Sequence, residues 1–192
     1  MPSLVLRPMP QPPRGACIGT LDGEPVTLVG RDYHVGERVI SQAEIGEDLV
    51  EAVDDAATRV LGHEWVTSLA RLMQINRRTT SKDRISKSGL PEYALLFLGE
   101  AAAHAHPRAL GHALLCVVEL QEAHTTATHT SGRPAAVDVA ERNLATAATY
   151  RRALFVLDEV MAEREAFRRR REAAEVEWNG PRDSWRQPLT DE

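Results

Sequence analysis

Lysine is nearly missing from this chain. Of its 23 basic side chains only Lys82 and Lys87 are lysines, so arginine carries almost all the positive charge. Aromatic residues make up 5%, which argues against a β-sandwich core and, with abundant alanine, for helices packed closely through small side chains. Two cysteines, Cys17 and Cys116, are too few and too far apart for a disulfide framework or a zinc motif. No run approaches the roughly 18 apolar residues that a membrane span needs. The first thirteen residues hold five prolines and lack the continuous apolar core of a secretory signal, so a cytoplasmic protein is expected. Nor is there an excess of positive charge. The 28 acidic residues leave a formal net charge of −5, which excludes a polycation coating nucleic acid or lipid through bulk charge.

What is present is a chain of 192 residues, 43% apolar and 27% charged, long enough for one ordinary domain or two small ones. Its charge is unevenly placed. Arg71, Arg77, Arg78, Lys82, Arg84 and Lys87 are opposed only by Asp83, a basic island in an otherwise acidic chain. Such an island fits either a surface that meets a polyanion at one place or a solvated helix face.

The pattern predicts a mainly α protein. Residues 1–14 form a disordered Pro-rich arm in which Pro2, Pro8, Pro10, Pro12 and Pro13 deny a helix or a ladder. Residues 15–36 form a small N-terminal β-hairpin about Asp22-Gly23, which needs something to pack on. Residues 37–125 form a helical domain. Ser41 and Glu44 make a capping box, and Ile45, Leu49, Val53, Ala56/Ala57 and Val60 recur at helical spacing up to Gly62. Further helices are expected over 64–73, 77–87 and 91–105, and from Pro107 onward with Leu110, Leu114, Val117/Val118 and Gln121 on one face. Residues 126–136 read as a linker within a Thr-, Ser- and Gly-rich stretch that begins at Thr125, and 179–192 as a loose tail. Between them, 137–178 is one long helix without Gly or Pro. Its stripe of Val137, Ala140, Leu144, Ala147, Leu154, Leu157 and Met161 either pairs chains or folds back on the helix begun at Pro107.

The segment Leu69-Ala70-Arg71-Leu72-Met73-Gln74-Ile75-Asn76-Arg77-Arg78-Thr79-Thr80 carries the functional reading. Ala70 suits a close helix crossing, Ile75 would plug the space between two helices, and Asn76 is a competent N-cap. This segment, with Ser88-Gly89-Leu90-Pro91 beyond it, resembles the helix-turn-helix of Cro/repressor-type DNA-binding proteins, over about residues 65–98. It departs from that pattern at Gln74, where the family places Gly; at Thr80, where it places Val or Ile; and at Asp83, where many relatives carry a large apolar anchor. The resemblance implies a helix-turn-helix-like unit at 65–88 whose second helix enters the major groove of double-stranded DNA. Asn76, Arg77, Arg78, Thr79, Ser81, Lys82, Arg84 and Lys87 then lie at the contact. Arg77 or Arg78 would present a fork to guanine, worth about 1–3 kcal/mol of discrimination, with Lys82, Arg84 and Lys87 on phosphates. Short recognition helices work in pairs, so a homodimer or higher homo-oligomer through the 137–178 helix is expected.

Other signals are weaker. His112, Cys116 and Glu119 share a helix face, but their apolar neighbours suit a core helix better than a metal site. His124 and His129 read as solvated. Arg168 to Arg171 stand among acids, as on an exposed helix laced by i,i+4 pairs. No phosphate loop, nucleophile motif or carboxylate pair suggests catalysis, and no cofactor or metal is expected. The sequence thus favours a sequence-specific DNA-binding regulator of bacterial or mobile-element type. The alternatives are a helical adaptor or assembly protein without a nucleic-acid ligand, or a packaging protein built like phage small terminase subunits.

Overall fold

The computed structural model describes residues 3–128 and 136–178. The chain divides into two compact units, residues 1–123 and 124–192. The first opens with an antiparallel meander of five strands, β1 (Leu4–Leu6), β2 (Ala16–Leu21), β3 (Glu24–Val29), β4 (Asp32–Val35) and β5 (Arg38–Ile40), paired in chain order. Three two-residue turns set its register. Asp22-Gly23 has positive φ at both residues (53° and 92°), the backbone of a type I′ turn. Gly30-Arg31 and Gly36-Glu37 have positive φ at the glycine only (66° and 59°), as in type II′. Val26 pairs with Val35 and Leu28 with Tyr33, and all four point into the core.

The expected hairpin at 15–36 is therefore the centre of a larger sheet, and the arm at 1–14 is not free of structure. Proline removes only its own N–H from a ladder, and Pro2 and Pro8 flank β1 instead of interrupting it. Leu4 and Leu6 are buried while Val5 between them is exposed, the alternation of a half-buried edge strand.

Helices α1 (Gln42–Leu61) and α4 (Glu92–Ala103) contact the sheet. The predicted stripe of α1 is buried from Ile45 to Val60, and meets Leu95 and Leu98 of α4 and Ile18, Val26 and Tyr33 of the sheet in one core. At the start of α1, Glu44 accepts hydrogen bonds from the Ser41 hydroxyl (2.7 Å) and N–H (2.9 Å), which hold its carboxyl below the usual carboxylate range. Helix α2 (Trp65–Met73) follows Gly62.

The single helix predicted over 77–87 is in fact two pieces, a 3₁₀ turn at Arg77–Thr80 and α3 (Lys82–Ser88), separated by an extended Ser81. Helix α5 (Pro107–Thr128) includes residues 125–128, whose composition suggests a loop, and α6 (Ala136–Trp178) begins one residue before the predicted start. Most of the expected linker and all of the tail lie outside the described residues, as does His129. On α6, Arg168 pairs with Glu165 and Glu172, and Arg169 with Glu165, as on a solvated face. No described helix is long and apolar enough to cross a membrane.

Candidate nucleic-acid interface

Helix α2 closes as a Schellman motif. Ile75 N–H donates to Ala70 O (3.0 Å) and Gln74 N–H to Arg71 O (3.2 Å), with Gln74 left-handed at φ 53°, ψ 41°. The backbone turn is the one glycine makes most cheaply, here made by a glutamine. Asn76 then caps the 3₁₀ turn, its Oδ1 accepting from Arg78 N–H at 2.9 Å.

The break at Ser81 has a packing cause. Thr80 is fully buried, its hydroxyl 2.9 Å from the carbonyl oxygens of both Val66 and Arg77. The next buried anchor is Ile85, while Asp83 is exposed and pairs with Lys87 at 2.8 Å. Anchors five residues apart do not share a face of one continuous α-helix. A 3₁₀ turn and one extended residue let both reach the core. Ile75, expected as the plug, is only half-buried, so that role falls to Thr80 and Ile85.

Helix α3 is fixed against α1. Gln42 Nε2 donates to the carbonyl oxygens of Ile85 (3.1 Å) and Ser86 (2.8 Å), and the Ser86 hydroxyl lies 3.0 Å from Glu47 Oε1. Gly46 lets the two helices approach so closely that a Cβ there would collide with the Ser86 carbonyl oxygen. The outer surface of this unit is thus carried on a well-anchored frame.

Its charges divide into two groups. Arg71 is clamped by Glu122, its Nε 2.8 and 3.0 Å from the two carboxylate oxygens. These bonds raise the guanidinium's affinity for its proton and lower that of Glu122. Lys82 Nζ lies 2.9 Å from Asp54 Oδ1, and Lys87 is held by Asp83. Arg77, Arg78 and Arg84 are exposed, and among the described residues none of the three has a carboxylate partner.

The predicted contact residues do not form one ridge. Arg77 lines an open cleft of about 900 Å³ with His63, Thr67, Ser68 and Arg108, which Glu64 also borders. Arg84 and Lys87 line a separate cleft of about 290 Å³ with Arg31, Tyr33 and Gln42. Arg78 and Asn76 are exposed outside both, Thr79 is half-buried, and the Ser81 hydroxyl is turned back onto Arg78 O at 2.9 Å. Arg31 and Arg108 come from a hairpin turn and from α5, far from the island in sequence, and no local signal marks them.

No cluster of three or more metal-binding side chains occurs among the described residues. Cys116 is exposed rather than in a core face, and Cys17 is the buried thiol. No family model, curated protein or solved structure matches this chain.

Proposed function

We propose that the chain binds double-stranded DNA through the unit formed by α2, the turn at Gln74–Asn76, the 3₁₀ turn and α3, as a sequence-specific regulator. The observation that carries this reading is the set of unpaired guanidiniums at Arg77, Arg78 and Arg84, on a segment held in place by buried Thr80 and Ile85. Arginine forks left without carboxylates suit phosphate oxygens or guanine edges. Arg108 joins Arg77, and Arg31 joins Arg84, as further phosphate contacts. Lys82 and Lys87 already hold acids of the protein itself and contribute little.

Binding to mixed genomic fragments tests this. Affinity should fall with salt at a log–log slope of roughly −0.9 per phosphate contacted. Replacing Arg77, Arg78 and Arg84 together by Ala should abolish retention at low salt while the circular dichroism spectrum stays unchanged. Equal binding by parent and variant overturns the reading. The second reading, a helical assembly protein, is favoured by the apolar side chains that α6 leaves exposed, and predicts no retained DNA from either protein.

A further inference from the structure

From Tyr150 to Phe167, helix α6 exposes Tyr150, Leu154, Leu157, Val160, Met161 and Phe167, each at least 38% accessible, besides Phe155 and Val156 outside the seam. At 3.6 residues per turn these six fall on one side of the helix, in heptad terms Leu154 and Met161 at a, Tyr150 and Leu157 at d, Val160 and Phe167 at g. Across two copies they offer on the order of 1,000 Å², the lower bound of a specific interface. The charges beside this seam say what covers it. The e positions are Arg151, Asp158, Glu165 and Glu172, whereas the g positions from Thr146 to Phe167 carry no charge. Neither Arg151 nor Asp158 has an oppositely charged partner among the described residues. The Arg151 Nε only approaches its own helix, 3.3 Å from Ala147 O.

We propose that α6 pairs with α6 of a second copy, antiparallel about a two-fold axis between residues 155 and 156. A parallel pair sets each e position beside an uncharged g position and leaves Arg151 and Asp158 without partners. An antiparallel pair sets e beside e, and the apolar layers together with the charges then choose the register. With Leu154 layered on Leu157 of the partner subunit and Tyr150 on Met161 of the partner subunit, Arg151 faces Asp158 of the partner subunit, twice by symmetry. Sliding by one heptad in one direction opposes Arg151 to its own copy. In the other direction Asp158 meets its own copy and, although Arg151 then meets Glu165 of the partner subunit, Leu154 lies on Arg164 of the partner subunit and Tyr150 on Arg168 of the partner subunit, so both shifted registers are disfavoured. The pairing needs no DNA and is independent of the DNA-binding reading.

The test is the association constant of the full chain, measured by sedimentation equilibrium, for the parent, Arg151→Asp, Asp158→Arg and the double variant. The parent should be dimeric at micromolar concentration. Each single substitution turns two attractive contacts into two repulsive ones and should weaken association by about tenfold. The double variant, and an equimolar mixture of the two single variants, should recover it. Helical content from circular dichroism should be the same for all, since both side chains are exposed. A monomeric parent, single variants that associate like the parent, or a double variant as weak as the singles overturns the proposal.

Discussion

Lys82 Nζ and Asp54 Oδ1 lie 2.9 Å apart, and the Trp65 indole N–H donates to the same oxygen at 2.8 Å. The pair ties the first residue of α3 to α1, beside the buried ring of Trp65. Burial pushes the Asp54 carboxyl up, but the bonds from Lys82 and Trp65 outweigh it, and the group sits below its usual range. It also settles which island cations are available. Asp54→Asn keeps an oxygen for Trp65 and releases Lys82, so DNA affinity at low salt should rise and the salt slope steepen by up to about 0.9. Lys82→Ala should barely change binding, while Arg78→Ala weakens it. The Asp54→Asn substitution also tests stability against pH. Because the folded pKa of Asp54 is depressed, its contribution is present above the unfolded value and lost as pH falls through the folded one. Acid denaturation of the Asp54→Asn variant should therefore lose part of its steepness below about pH 4.

Arg108 and Arg31 provide a second check, because nothing in their local sequence points to DNA. Arg108→Ala and Arg31→Ala should each weaken binding to all sequences alike and reduce the salt slope by about 1, the signature of a lost phosphate contact. Parallel slopes for parent and variants in filter binding would show that the two clefts do not meet DNA.

How far the sequence was legible depends on the range of the interaction. The α1 stripe, the capping box, the Asp22-Gly23 turn and the Asn76 cap are local, and each stands where residue spacing puts it. The two outer hairpins were also legible in principle. Gly30-Arg31 and Gly36-Glu37 have the Gly-first composition of type II′ turns, but the strands that follow them, Asp32–Val35 and Arg38–Ile40, are too short to show alternation. The break at Ser81 was not legible. It follows from Thr80 and Ile85 both seeking the core, and their partners lie on α1 and α2. The pairing of Lys82 with Asp54, 28 positions earlier, is non-local in the same way, and so is the grouping of Arg77 with Arg108.

Gln74 holds a backbone conformation that costs a side-chain-bearing residue roughly 1 kcal/mol and glycine far less. Gln74→Gly should stabilise the protein by about 0.5–1 kcal/mol, partly offset by the greater freedom glycine gives the unfolded chain. Urea denaturation measures it. A clear loss of stability would mean that the glutamine side chain holds the turn through a contact of its own.

Thr80 is the reverse case, a polar residue at a fully buried site. Thr80→Val preserves shape but strips the hydroxyl from the carbonyl oxygens of Val66 and Arg77. A loss of about 1 kcal/mol is expected from removing the buried hydroxyl's hydrogen bonding, since both carbonyls also accept backbone N–H groups of their own turns. The loss should appear in chemical denaturation without change in the unfolding m-value. A neutral outcome would show that the 3₁₀ turn is set by Ile85 alone.

Tyr33 links the sheet to α1, its hydroxyl 3.0 Å from Gln42 Oε1 while the Gln42 amide nitrogen reaches the α3 carbonyls. Burial pushes the phenol up to about 12. A group that resists ionisation in the folded state destabilises that state once the unfolded chain can ionise. The protein should thus hold its stability up to about pH 10, the unfolded value, and lose it progressively between there and about 12. Tyr33→Phe removes the titration together with one hydrogen bond. The variant should be less stable by about 1 kcal/mol at pH 7 and should show a shallower decline in alkali, so that the two stability curves converge near pH 11. Thermal unfolding across pH 7–11 distinguishes this from simple loss of packing, which would displace the curve by the same amount at every pH. Because Gln42 also holds α3, the same substitution should loosen Ile85 and Ser86, seen as faster amide exchange along Lys82–Ser88 than in the parent.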